Sequence, residues 1–371
     1  MKPAKIIRRY GDTDFVTSLR AIAALLVVLN HTDALKNFGW IGANITLAAK
    51  HGVEIFFVIS GFTIAVTYLN APNYRNYLVR RIFRIAPPYY VAIILAFFLA
   101  STNLMQPMWL LEAFGGTLDF RNLFLHLVFL SHLDWRIADS ILGVEWTIPV
   151  EVFWYVLLPL VVTRIRGVRS FLAYVFLFAV YDIIVRLLAL KFLPVGHVIF
   201  VDIFVAKYGY YFLFGVAAYY IRRASQPVPV PLARLAVYLA PMLIYLGLVL
   251  ANDLSGMIIG LGTFLLLAFY RKERHPFADR WLSGTLLLFL GSISYSIYLL
   301  HNMMVLLWER WGSEVFDISG LWFMALILAV TIPLASLSYV LVERPSNRIG
   351  KRLATRFYPE PESRNSRITA R

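Results

Sequence analysis

The sequence predicts an all-α, polytopic membrane protein with about ten transmembrane helices and with both termini in the cytoplasm. Hydrophobic residues make up 60% of the 371 residues and charged residues only 15%, a balance that soluble globular domains do not show. Ten apolar runs approach or exceed the roughly 20 residues that a helix needs to cross a bilayer. Basic residues cluster between these runs and decide their orientation.

The apolar runs follow one another along the chain, and each defines one predicted span. They lie near 15–33, 52–70, 86–101, 146–163, 170–190, 199–221, 232–250, 254–270, 285–306 and 320–342. The stretch 121–133 is too short to cross, so we expect it to lie in the interface or to enter the membrane and return. The basic N-terminus resembles a signal peptide, but no small-residue cleavage site follows, which favours an uncleaved first span.

The positive-inside rule orients the predicted spans. With the N-terminus in the cytoplasm, the main basic clusters all fall on the cytoplasmic side: the N-terminal arm, 75–84, 164–169, 222–223, 271–274 and the C-terminal tail. The net charge of +14 therefore predicts a collar that faces anionic lipid head groups, and it argues against a nucleic-acid partner. Residues 1–350 are predicted to form the transmembrane domain, and the polar segment 351–371 a disordered cytoplasmic tail.

The residue inventory excludes several kinds of chemistry. The chain has no cysteine, so disulfides, zinc–cysteine sites and thiol nucleophiles are excluded. No phosphate-cradling glycine loop and no specific metal-ligand spacing occurs, and we predict no metal cofactor. Ser60-Gly61, in the middle of the second run, is typical of close helix packing rather than of a serine nucleophile.

Polar groups near the predicted outer ends of four spans form the candidate catalytic set. His31 ends the first span, Glu54 opens the second, Glu151 lies inside the fourth, and His301 lies near the outer end of the ninth. A carboxylate that accepts from an imidazole fixes its tautomer and raises its basicity, as a general base requires. Helix capping would explain any one of these groups, but four at one level favour a working site.

Arginines form a second candidate set at the predicted inner level. Arg20 lies inside the first span, eleven residues before His31, which places the two about 16 Å apart on nearly the same helix face. Arg81 and Arg84 share a face if their helix begins before the two prolines that follow. Such a cluster could hold a phosphorylated ligand or anchor the protein at the head groups, and Glu343 is a candidate partner for one arginine.

The polar residues stand in a set of motifs, all in a fixed order: the pair Arg20 and His31, GVEIFFVISGF (52–62), RRIFRIAPPYY (80–90), WTIPVEVFWY (146–155), SYSIYLLH (294–301) and Glu343-Arg344-Pro345. In this order they resemble the motifs of the acyltransferase-3 family of integral membrane acyltransferases, over residues 12 to 350. That family includes O-acetylases of O-antigen, exopolysaccharide and nodulation factors. Glu54 stands where the family usually has Asp, Thr147 where it has Ser, and Trp154 where it has Phe.

The resemblance implies transfer of an acyl group, commonly acetyl, from cytoplasmic acyl-CoA to a hydroxyl of a carbohydrate or glycolipid at the bacterial inner membrane. His31 would act as general base or carry the acyl group, and Glu54 or Glu151 would orient it. Arg81 and Arg84, with Arg20, would hold the nucleotide end of the donor. Further motif residues would support this site: Trp146, Tyr295, His301 and Glu343.

Two other functions would also explain charged residues at these positions. A transporter or exporter of a lipid-linked glycan would line its substrate path with them, and an acyl sensor would bind the thioester without turnover. The sequence does not identify the acceptor or the oligomeric state. Trp109, Trp135 and Trp146 could stack on sugar rings, although anchoring at the membrane interface explains them equally well.

Overall fold

Every predicted apolar run falls on one helix or on consecutive helices in the computed structural model. The structure describes residues 13–359 apart from 107, 109, 110, 112, 114, 194–196 and 225–227. The described part of the chain contains no β-strand, so the predicted all-α class is confirmed. A helix satisfies its own backbone N–H and C=O groups, and apolar segments in lipid adopt it for that reason. The N-terminal arm, Trp109 and the tail beyond residue 359 lie outside the described residues.

The α-helices of the described residues are numbered in chain order. They are α1 (Asp14–His31), α2 (Gly39–Ala48), α3 (Gly52–Asn70), α4 (Tyr74–Ser101), α5 (Phe120–Leu127), α6 (Thr147–Val162), α7 (Val168–Phe192), α8 (His197–Ile203), α9 (Gly209–Arg223), α10 (Val230–Leu250), α11 (Ser255–Phe269), α12 (Pro276–Leu282), α13 (Thr285–Ser292), α14 (Ser294–Trp311), α15 (Gly320–Ser338) and α16 (Arg344–Phe357). A π-helical turn at Tyr339–Glu343 joins α15 to α16.

Six helical segments in the described residues are long and apolar enough to cross a membrane, and α13 with α14 would make a seventh, bent by 72°. The predicted number of ten spans is therefore not confirmed. The predicted spans at 146–163 and 254–270 are helices of only 16 and 15 residues. The run 199–221 is broken into α8 and α9 by a short 3-10 turn, and 121–133 contains the short helix α5. The predicted orientation of the termini is likewise not settled by the helices themselves.

Two helices extend beyond their predicted limits. α4 begins at Tyr74 rather than near 86, and it continues through Pro87 and Pro88. Prolines are tolerated inside membrane helices because neighbouring groups satisfy the backbone that they leave unpaired. Arg81 and Arg84 therefore share one helix face, as the spacing required. At the other end of the chain, α16 continues to Phe357, so the first residues of the predicted tail are helical.

Helix α1 lies against both α3 and α14 and sets the frame of the site. Arg20 contacts Ser294 and His31 contacts His301, so α1 and α14 run parallel and both polar residues of α1 face α14. α3 runs in the opposite direction, with Phe56 beside Arg20. We call the end where α1 starts the basic end of the bundle and the end where it finishes the histidine end.

The peripheral helices expose apolar surface. Only 6% of the apolar window of α7 is buried, and only 22% of that of α10, whereas 72% is buried in the segment that contains α3. Exposing apolar faces of this size to water is unfavourable for a monomer, so these faces are suited to contact with lipid. The core thus lies around α1 and α3, where the polar residues of the site are also found.

Candidate active site and donor cavity

A wide cavity of about 520 Å³ opens at the basic end of the bundle. Its charged lining residues are Arg20, Arg80, Arg81, Arg84, Lys351 and Glu343. Five cations against one carboxylate make this space suited to an anionic ligand. We call it the basic cavity. All three predicted donor-site arginines line it, so the structure brings that predicted set together.

Arg81 is held by several contacts in this cavity. Its Nη2 donates to the carbonyl oxygen of Thr63 at 3.2 Å and to Oγ1 of Thr67 at 3.0 Å. Its guanidinium lies 5.3 Å from the ring centre of Tyr77 and 5.0 Å from that of Tyr155. Cation–π contacts on two rings and two hydrogen bonds leave this side chain little freedom, so it presents a preorganised charge.

A second, narrow cavity of about 40 Å³ lies next to the basic cavity, and we call it the narrow chamber. Arg20 and Arg84 line both spaces, so these two residues lie where the cavities meet. Arg20 is oriented there by a hydrogen bond of 3.2 Å from Nε to Oγ of Ser294. The narrow chamber also carries uncharged and acidic polar side chains: Ser60, Thr147, Glu151, Tyr155, Tyr295 and Tyr298.

Glu151 accepts two hydrogen bonds within this chamber. Ser60 Oγ donates to it at 2.6 Å, and the Tyr155 hydroxyl makes a short contact with the same oxygen. Ser60 therefore does more than allow close packing, because it is a hydrogen-bonded partner of a carboxylate. The neighbouring Gly61 has the packing role, since a Cβ there would lie 2.0 Å from the carbonyl oxygen of Phe212.

Glu54 lies elsewhere, buried at the start of α3. Its Oε1 is 2.9 Å from Nδ1 of His51, a histidine that is not among the residues predicted from the sequence. The hydrogen bonds of His31 among the described residues include neither Glu54 nor Glu151. In this structure each carboxylate is held by nearer partners, and the role of Glu54 or Glu151 in orienting His31 stays a prediction.

His31 is oriented instead by His301 and by its own helix. The carbonyl oxygen of Val27 lies 2.9 Å from Nδ1 of His31, and Nε2 of His301 lies 3.4 Å from the same nitrogen. A carbonyl can only accept, so in the neutral ring Nδ1 carries the proton and Nε2 holds the basic lone pair. By the same reasoning the carbonyl of Ile297, 3.1 Å from Nδ1 of His301, leaves Nε2 of His301 as an acceptor.

The loop before α6 reaches this histidine pair. Gly143 has a positive φ of 76°, and a Cβ there would lie 2.5 Å from Nδ2 of Asn302, the residue that follows His301. Asn302 Nδ2 donates to the carbonyl of Leu142 at 2.6 Å, and the Tyr298 hydroxyl donates to that of Val144 at 2.8 Å. α14 therefore carries both the orienting histidine and the side chains that hold the loop.

Glu145 closes the same loop and was missed by sequence reasoning. Its carboxylate accepts from the backbone amides of Ile141, Leu142 and Val144, at 2.7, 3.1 and 3.0 Å. Burial by itself would raise the pKa of Glu145, but the nearby His126 ring, whose Nε2 is 3.4 Å from Oε1, and the backbone hydrogen bonds lower it below its ordinary value. An ionised carboxylate thus organises the loop. The available signal in the sequence was an acidic residue directly before Trp146, at the edge of the predicted span 146–163.

The supporting residues predicted from the motifs occupy different places. Tyr295 lines the narrow chamber and donates to the carbonyl of Ile85 at 3.0 Å. Glu343 lines the basic cavity and accepts from Ser296 Oγ at 3.3 Å. Trp146 packs against Tyr208 with ring centres 5.5 Å apart and lines neither cavity. No group of three or more His, Asp or Glu side chains in the described residues is placed to hold a metal ion.

An apolar helical bundle with a basic cavity at one end and an oriented histidine at the other defines a class of protein: a multi-pass membrane protein that can hold an anionic ligand near a base. Residues 14–340 match the acyltransferase domain of the acyltransferase-3 family, and the chain belongs to that family.

The chain is also similar to an O-acetyl transferase of Shigella phage Sf6, with 25% identity over 174 residues. The match covers 43% of this chain and 49% of the phage protein, so the chain spans about half the length of this curated relative. No solved structure matches the chain.

Proposed function

We propose that the protein is a membrane-embedded O-acyltransferase that moves an acyl group, in the simplest case acetyl, from acyl-CoA to a hydroxyl of a carbohydrate or related acceptor. The observation that carries the proposal is that Arg20 and Arg84 line both the basic cavity and the narrow chamber. From the positive-inside rule we expect the basic end to face the cytoplasm, where acyl-CoA is found, with the protein in a bacterial inner membrane.

The two cavities correspond to the two parts of such a donor. The nucleotide end of CoA is wide and carries several negative charges, which suits five cations around 520 Å³. The pantetheine arm is slender, uncharged and rich in amides, which suits hydroxyl and carboxylate partners such as Ser60 and Glu151. Tyr298 lines this chamber, and its ring centre lies 6.0 Å from that of His301. The thioester would therefore approach the histidine pair from the basic end.

His31 would act as the general base. Its Nε2 would take the proton of the acceptor hydroxyl, and that oxygen would attack the thioester carbonyl and expel the CoA thiolate. The thiolate would then recover the proton from the imidazolium. Val27 and His301 hold Nδ1–H, which orients the ring and leaves Nε2 as the nitrogen that takes the proton.

The test is release of free CoA by purified protein supplied with acetyl-CoA and an acceptor extract. His31→Gln should reduce this release at least 100-fold, because general-base catalysis is worth about 10²–10⁴ in rate. His51→Gln is the matched control, since His51 pairs with Glu54 and not with His31. Full activity in a well-folded His31→Gln protein would contradict the mechanism. A transporter would release no CoA from either protein.

A further inference from the structure

Three residues that line the basic cavity lie beyond the family-matched segment, which ends at residue 340. They are Glu343 at the end of the π-helical turn and Asn347 and Lys351 on α16. Their spacing of four residues places them on one face of the helix. Glu343 is buried and Lys351 is exposed, and eight residues of helix separate them by about 12 Å. This face therefore forms a wall of the cavity from its inside to its mouth.

Specific contacts fix this wall to α4. A Cβ at Gly350 would lie 2.4 Å from Cβ of Phe83, so the two helices touch at that point. Asn76 Nδ2 donates to the carbonyl of Ala354 at 3.1 Å and to that of Tyr358 at 2.7 Å. Asn76 is only 3% exposed, so these bonds are well shielded from water. α16 is thus a structural part of the cavity and not a loose appendage.

The register of the two helices places Lys351 opposite a second cation. Phe83 packs at Gly350 and Asn76 at Ala354, so α4 and α16 run antiparallel. Arg80 lies between these two points on α4 and is level with Lys351, and both line the cavity. Arg84 lies deeper, at the junction with the narrow chamber. The cations are therefore arranged in two layers along the cavity.

The chemistry of the donor assigns a role to each layer. In CoA the pyrophosphate follows the pantetheine arm, and the ribose 3′-phosphate lies still further from the thioester. We propose that Lys351, opposite Arg80, binds the ribose 3′-phosphate, while the deeper arginines bind the pyrophosphate. The proposal rests on acyl-CoA being the donor. It makes α16 the part of the protein that distinguishes CoA from carriers that lack this phosphate.

The experiment measures binding of CoA and of 3′-dephospho-CoA to the purified full chain in neutral detergent by titration calorimetry. The wild type should bind CoA about tenfold more tightly, a difference of about 1.4 kcal/mol. Lys351→Gln should remove that preference, because it should weaken the binding of CoA and leave the binding of 3′-dephospho-CoA unchanged. Arg352→Gln is the control, because it removes the same charge from the next residue, which does not line the cavity.

Each other outcome has a distinct meaning. If Lys351→Gln weakens the binding of both nucleotides equally, or of neither, Lys351 does not bind the 3′-phosphate and the proposal fails. If added phosphatidylglycerol abolishes the wild-type preference, Lys351 binds a lipid phosphate instead, and the proposal also fails. If the wild type binds neither nucleotide, acyl-CoA is not the donor, and the proposed function fails together with this inference.

Discussion

His31 and His301 meet edge to face at the histidine end of two parallel helices, with ring centres 5.0 Å apart and an interplanar angle of 73°. Nδ1 of His31 and Nε2 of His301 are 3.4 Å apart, so one neutral ring can donate to the other. The arrangement supplies the orientation that a carboxylate supplies in many general bases. It does so without placing a second full charge beside the reacting group.

Replacement of His301 tests this relationship. His301→Ala should lower kcat about fivefold with little change in the KM for acyl-CoA, because one orienting hydrogen bond is worth about 1 kcal/mol. His301→Gln should keep more activity, since its amide oxygen can still accept from His31. Initial rates over a range of pH check both. Equal activity in the two variants would mean that His301 only fills space.

The two predicted carboxylates should behave differently. Glu151→Ala leaves the Ser60 and Tyr155 hydroxyls without their acceptor in a buried chamber, at a cost of about 1–3 kcal/mol, and should lower both stability and activity. Glu54→Gln keeps an acceptor for His51 and should retain most activity. Thermal unfolding in detergent and CoA release measure the two effects. Loss of activity in Glu54→Gln would restore the role for Glu54 expected from sequence.

Glu145 should control the loop that carries Gly143. Glu145→Gln keeps the shape of the side chain but replaces one carboxylate oxygen with a donor, so three backbone amides can no longer all be satisfied. We expect a loss of about 1–3 kcal/mol in stability and a lower kcat. Glu309→Gln, on the exposed last turn of α14, is the control. An unchanged melting temperature in Glu145→Gln would show that the loop is held by α14 alone.

Gly61 should be intolerant of any side chain. A Cβ there would lie 2.0 Å from the Phe212 carbonyl oxygen, so Gly61→Ala must push α3 and α9 apart. Overpacking of this kind costs about 1–3 kcal/mol, and we expect a lower yield of folded protein. Gly167→Ala is the control, because nothing lies within 4 Å of a Cβ at that position. Size-exclusion profiles of detergent extracts compare the two variants.

Much of the fold was predictable because lipid imposes a simple rule on the backbone. The apolar runs became helices, and 52–70 was predicted at the limits that α3 has. The limits of α4 were missed because its first turns are polar and its middle contains two prolines. The predicted number of ten spans is not confirmed, since apolar helices such as α6 are shorter than the length expected of a full span.

The sequence by itself determined the helical class, the family motifs and the common face of Arg20 and His31, because these follow from composition and helical periodicity within one segment. Only the tertiary structure decided the partner of each polar side chain. His31 pairs with His301 from 270 positions away, Glu151 with Ser60 from 91, and Glu54 with the nearby His51. Hydrogen bonds act only over about 3 Å, and helix packing, which periodicity does not encode, sets those distances.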